Sequence, residues 1–376
     1  MNIRNVTPDI LAAIFLALIL QTKSRLIGSI GIGEIGISIY CLYCYTSIAV
    51  SNKAIPIDEH NKLATLILGY SSSILFSVTL VSHLTNTFGA SFRDYLAYLL
   101  SFLLFFAFSI RRPQLQLMIF FFMATLIIII FYQYFLGGED AWYSMRFTAG
   151  ARNPNQFALY LVCLLCLAST LRSKKTYILA LTVVVFWGLK SRSDAFLVFL
   201  ATYIIFYILV IITPKKFFVF LFMPIILILI TLYTNYYNEL FYLITNTWLT
   251  ADEGGVRLQL FINGLYAWLS TPFSILIGNG AGSYSGLSGP FEGVESHNTI
   301  IDLLTIGGIF GAFVLYIPLL KSVIYSYTSN NRAVFSTAIG LLVFSLFHFV
   351  ARQPIYWFTI YAFMANYSAN NKRKLL

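Results

Sequence analysis

In a chain of 376 residues, 59% hydrophobic content, only 10% charged residues and a mean hydropathy of +0.80 exclude a soluble domain, whose surface needs far more polar cover. Apolar runs recur along nearly the whole length, so the fold expected is an all-α, polytopic transmembrane bundle, one integral membrane domain over residues 1–376. A net charge of +10 would point to nucleic acid in a soluble protein; here the positive-inside rule accounts for most of it, and no nucleic-acid partner is expected.

The first apolar run, Ile10 to Leu20, follows Arg4 and has no small-residue cleavage site after it, so it reads as an uncleaved span at 9–22. Gly31, Gly33 and Gly36 fit the dinucleotide GxGxxG spacing. That pattern needs a strand before it and a βαβ unit, so these glycines are expected only to turn the chain into a second span at 34–50. Ten more spans follow, at 63–82, 95–110, 115–136, 156–171, 177–190, 195–213, 217–235, 298–320, 333–350 and 355–369, twelve in all. Cys41-x-x-Cys44 and Cys163-x-x-Cys166 resemble halves of a zinc centre, but they lie mid-span, where a thiol packs as a small hydrophobe. No metal and no cofactor are expected.

Fifteen of the 24 cations, nine of them lysines, fall in loops on one side of this threading, which makes that side cytoplasmic. The other side keeps Lys23, Arg25, Arg93, Arg146, Arg152, Lys190, Arg192, Arg257 and Arg352. Seven of these nine are arginines. Arginine grips phosphate and carboxylate through a planar fork that lysine lacks, so the change of cation type points to an anionic substrate. Two outer loops are long: 137–155, and 236–297, a large, partly helical loop.

Three stretches carry candidate chemistry. Arg146 to Asn155 enters the sixth span through Asn153-Pro154-Asn155, a turn-and-cap signature. Ser191-Arg192-Ser193-Asp194 is a tight turn in which Arg192 either pairs with Asp194 or faces a ligand. The third begins at Gly255-Val256-Arg257 and an amphipathic helix to Leu269, passes Pro272 and the turn Gly278 to Gly282, and ends at Glu295-Ser296-His297-Asn298. A helix start lowers the proton affinity of His297, and a neutral imidazole can take a proton from a sugar hydroxyl. His348, near the outer end of the eleventh span, reads equally as cavity lining or as packing.

This layout resembles the bacterial O-antigen ligase and polymerase superfamily over roughly residues 140–355. The likeness rests on Arg146 to Asn155, Ser191-Arg192, Arg257 with Gly278 to Gly282, and His297-Asn298 leading to Leu303 and Gly307-Gly308-Ile309-Phe310-Gly311. A glutamate common in that family is replaced near Thr305 or Ile306, with Asp302 close by. The resemblance implies a glycosyltransferase of the Gram-negative inner membrane with its site facing the periplasm. It implies donor and acceptor oligosaccharides carried on undecaprenyl diphosphate among membrane lipids, with a chain-length regulator as a candidate partner. Polymerase is the leading expectation, with ligase onto lipid A–core next and a lipid-linked-sugar flippase as the rival from another class. His297 and Arg257 are expected to be catalytic, and Arg192, Arg146, Arg352, Arg152, Asn155 and Asn298 to bind substrate. Among the arginines, Arg257 and Arg192 are expected to lead on the diphosphate and Arg152 to brace a loop.

Overall fold

The computed structural model describes residues 6–23, 25–26, 30–51, 58–85, 90–212, 252–283, 294–329 and 331–374. About 80% of the described residues are helical. In chain order the described elements are α1 (Thr7–Leu18), α2 (Ile32–Ser51), α3 (Glu59–Tyr70), a π turn Ser71–Leu75 running straight into α4 (Phe76–Leu84), α5 (Phe92–Arg111) and α6 (Leu115–Leu136). A two-residue hairpin, β1 (Trp142–Tyr143) and β2 (Arg146–Phe147), precedes α7 (Pro154–Ser169), α8 (Lys174–Ser191) and α9 (Asp194–Ile212). Then come α10 (Asp252–Leu269), α11 (Pro272–Ile277), α12 (Thr299–Thr328), α13 (Arg332–Ser345) and α14 (Pro354–Lys374).

Eleven of the twelve runs expected as spans overlap these helices and the ninth, 217–235, lies outside the described residues; a count of twelve crossings is not established by these helices. Among the described residues, five helices are long and apolar enough to cross a bilayer: α2, the continuous run Glu59–Leu84, α5, α6 and α12. Others are shorter than expected. α1 has 12 residues, a rise of about 18 Å, so Gln21 to Lys23 belong to a connection rather than a span. α13 stops at Ser345, leaving 346–353 as a loop and taking His348 off the helix where the sequence had put it.

α7 is the axis of the bundle. Every side chain from Gln156 to Ser169 is buried, and α6, α8, α9, α13 and α14 pack around it. Its sequence is apolar on all sides, as a helix with no solvent or lipid face must be. The four cysteines are buried free thiols on α2 and α7.

Both glycine-rich motifs do backbone work. Gly308 interrupts α12 with φ 61° and ψ −165°, so the carbonyls of Thr305 and Ile306 lose their partners one turn on. They accept instead from the N–H groups of Asn279 at 2.8 Å and Gly280 at 2.9 Å. The turn that supplies those groups also takes the Thr79 hydroxyl of α4 as acceptor for Ala281 N–H (2.9 Å) and receives Ser91 N–H on Ala281 O (2.7 Å). A Cβ on Gly278 would lie 2.3 Å from the Ile306 carbonyl carbon, and one on Gly308 2.3 Å from that of Leu276. Gly33 and Gly36, expected to turn the chain into the second span, do not form that turn. They sit inside α2, where a Cβ would meet Ile19 and the Phe15 ring of α1 at 2.5 and 2.1 Å, so they let two helices approach closely.

Gly280 has φ +93° and a built Cβ 2.7 Å from Thr79 Cα, whereas Gly69 has nothing within 4 Å. Gly280→Ala is therefore expected to lower the melting temperature in detergent by several degrees, from strain of about 1–2 kcal/mol plus the clash. Gly69→Ala should melt at or slightly above the wild-type temperature. Equal melting of the two variants would contradict this account of the glycines.

Candidate functional site

At one end of the bundle a cavity of about 1500 Å³ opens between the α1–α2 connection, the first turns of α5, the start of α7, Glu295 and the loop after α13. It gathers Lys23, Arg25, Arg93, Arg152 and Arg352, facing Glu34, Asp94, Asp140 and Glu295, with His348 in the wall. Five cations in one concave space, on a chain only 10% charged, mark a site built for charge.

Their partners divide these cations. Arg352 is clamped by two carboxylates, Nη1 to Asp94 at 2.7 Å and Nη2 to Glu295 at 2.5 Å. Its backbone carbonyl accepts from the Ser101 hydroxyl at 2.9 Å, fixing the loop to α5. Arg25 pairs with Glu34 and donates from Nε to Thr22 O at 3.2 Å. Lys23 donates from Nζ to the carbonyls of Asp140 (2.7 Å) and Trp142 (2.9 Å). Arg93 and Arg152 are exposed, and with the described residues neither guanidinium makes an ion pair or hydrogen bond. They are the two charges left over for an anion.

The turn Ser296 to Asn298 stands against this wall. Asp302, fully buried, accepts Ser296 N–H on Oδ1 at 2.8 Å, while Oδ2 has no hydrogen-bond partner among the described residues. Asn298 caps α12 by accepting from Ile300 N–H (3.0 Å) and Ile301 N–H (3.2 Å), and its amide donates to Leu346 O at 3.1 Å. Between them His297 is held at φ 59°, a left-handed conformation costly for a side chain with a Cβ. Its ring lies 6.2 Å from that of His348, nearly parallel at 21°. His348 faces the cavity; His297 is behind it and does not contribute to the described lining.

The remaining sequence candidates are placed as follows. Asn155 accepts the Ser193 hydroxyl at 2.7 Å, tying α7 to the start of α9. Arg146 donates from Nε to Ser191 O at 3.4 Å, at the carbonyl end of α8, where the helix dipole favours a cation. Arg192 ends α8 in the left-handed conformation with its side chain exposed and Nη1 3.8 Å from Met145 Sδ. None of these three lines the cavity. Arg257 lies on α10, and its side chain falls outside the described residues. α10 itself is strapped to α12 by the Thr305 hydroxyl on Gly264 O at 3.2 Å and to the glycine turn by Asn279 Nδ2 on Ala267 O at 2.9 Å.

The ranking of arginines thus changes. Arg152, expected to brace a loop, presents its side chain to the cavity, while its N–H binds the Thr22 hydroxyl at 2.6 Å. Arg192 and Arg146, expected on the substrate, stand elsewhere. Lys23, Arg25 and Arg93 were visible as outer cations but lay outside the motif stretches, and only the fold brings them beside Arg352. A comparison with protein-family models gives no match for this chain, and neither does a comparison with curated proteins.

Arg352→Gln would leave Asp94 and Glu295 facing each other without a cation, and is expected to cost about 2 kcal/mol of stability. Adding Asp94→Asn and Glu295→Gln to that variant should restore most of the loss in a detergent melt. A triple variant no more stable than Arg352→Gln would show that the clamp does not organise this wall.

Proposed function

We propose that this protein is a polytopic inner-membrane glycan polymerase of Gram-negative bacteria. It would transfer a growing chain from undecaprenyl diphosphate to the next lipid-linked repeat unit at the periplasmic end of a twelve-span bundle. The observation that carries this is the cavity itself: two guanidiniums with no acid partner among the described residues and His348, backed by the ring of His297, stand at the end of a bundle of apolar helices.

The chemistry needs three things of such a site. A hydroxyl of the acceptor sugar must lose its proton as its oxygen bonds the donor's anomeric carbon. The bond from that carbon to the diphosphate must break, and undecaprenyl diphosphate must leave with the electron pair. The proton goes to the His297–His348 pair, His348 from the cavity wall and His297 from the strained turn before α12. Charge growing on the diphosphate is met by Arg93 and Arg152, with Arg257 as the sequence's own candidate; each such preorganised donor is worth on the order of 10²–10³ in rate. Arg352 orders the wall by holding Asp94 and Glu295. A lipid diphosphate is a good leaving group, so the transfer would need no nucleotide.

His297→Ala, His348→Ala and Arg152→Ala are each expected to abolish polymer or cut it at least about 100-fold, with the protein still inserted at wild-type levels. Arg257→Ala should do the same, and Arg257→Lys should fail too if a bidentate diphosphate contact is made. Wild-type polymer from the two histidine variants would remove this mechanism. Deletion of the gene separates polymerase from ligase on a gel of lipopolysaccharide. Loss of a polymerase leaves lipid A–core with a single repeat; loss of a ligase leaves bare core and lipid-linked polymer.

A further inference from the structure

We infer that the cavity continues into an apolar trough between α2 and α5, open sideways to the bilayer, which holds the polyprenyl chain of the substrate. The inference rests on the lipid-linked donor proposed above and adds where its chain lies and how deep it runs. Leu96, Leu99, Leu100 and Leu103 line the cavity from α5 at the i, i+3, i+4, i+7 spacing of one helix face. Ile35 and Ile39, one turn apart on α2, line it from the other side.

The geometry is that of an amphiphile. Arg93 stands at the head of the leucine face, and from Arg93 to Leu103 the α5 axis advances about 15 Å. Charge is confined to the top of this path, and apolar groups follow apart from Ser38, whose hydroxyl is turned back on Glu34 O at 2.8 Å. Leu96 is 57% exposed and Ile39 62% exposed even though both belong to the cavity wall, so the wall is incomplete on the side where bilayer hydrocarbon would lie. The far end is closed, because the Tyr45 hydroxyl of α2 donates to Leu103 O at 2.5 Å and its ring packs 5.9 Å from Phe106. A headgroup drawn to Arg93 and Arg152 would therefore seat the first part of its chain against the leucine face and leave the remainder in the membrane. A bulk phospholipid filling the gap is the alternative occupant, and it differs in being indifferent to the substrate's own chain.

The test compares two donors carrying the same glycosyl diphosphate, one on undecaprenol and one on the short geranyl chain, with the full-length protein in liposomes. Ile39→Trp with Leu96→Trp should raise KM for the undecaprenyl donor on the order of tenfold, leave kcat nearly unchanged, and leave the geranyl donor unaffected. Leu42→Trp, 63% exposed on α2 outside the cavity, serves as the control and should match wild type. Equal effects on both donors, or none on either, would overturn the trough as a chain site and assign it to ordinary bilayer lipid. If the wild-type protein turns over neither donor, the glycosyltransferase reading fails by itself. Binding of undecaprenyl diphosphate and geranyl diphosphate then decides the trough, with the double variant expected to weaken only the first, about tenfold, and equal binding of both by both proteins counting against it.

Discussion

A partly shielded guanidinium at the end of an apolar bundle is costly without a counter-charge, and Arg352 has two. Asp94 comes from the first turn of α5, Glu295 from the segment before α12, and Arg352 itself from the loop after α13. Three stretches far apart in the chain are thereby brought to one point, and the histidines follow. His348 lies four residues before Arg352, and His297 two residues after Glu295. Paired charges in a partly shielded setting give less stability than their Coulomb attraction suggests, because each must be desolvated. Their stronger effect is to fix geometry, and here they fix the wall on which both imidazoles stand.

A second constraint acts through the backbone. Breaking α12 at Gly308 frees two carbonyls that cannot remain unpaired in an apolar surrounding. The turn after α11 satisfies both through the N–H groups of Asn279 and Gly280, and a Cβ on Gly278 beside them would not fit against Ile306. The same turn reaches α4 and the start of α5 through Thr79 and Ser91. A loop that looks like a connection is in effect a wedge that sets the position of α10 and α11 against α12.

Much of the fold was legible in the sequence because the bilayer imposes a strong rule: long apolar runs become helices, and the runs expected here did so wherever residues are described. Helix ends were less legible. α1 and α13 stop early because the chain turns inward to line a cavity, and Gln21, Thr22 and His348 carry no local signal of that. At the site, residue type was informative and position was not. An excess of arginine over lysine on one side was readable, yet Arg93 and Arg152 could be singled out only after Asp94 had been seen to pair with Arg352 rather than with its neighbour Arg93. Arg192 shows the converse: a conspicuous motif residue that ends α8 in the αL conformation, exposed and outside the cavity lining. Gly278 to Gly282 and the Gly307 to Gly311 end of the run that starts at His297-Asn298, both parts of the resemblance, are two sides of one backbone contact.

Two guanidiniums with no acid partner among the described residues, His348 with His297 behind it, and the leucine face of α5 are what the proposed transfer from a lipid-borne anion rests on. The most direct measurement is reconstitution of the purified protein in liposomes with a synthetic undecaprenyl-diphosphate repeat unit and no other enzyme. A ladder of polymer, with undecaprenyl diphosphate released in step with each unit added, is the predicted result. Intact repeat units moved across the membrane, or left unchanged on their lipid, would contradict a glycan polymerase.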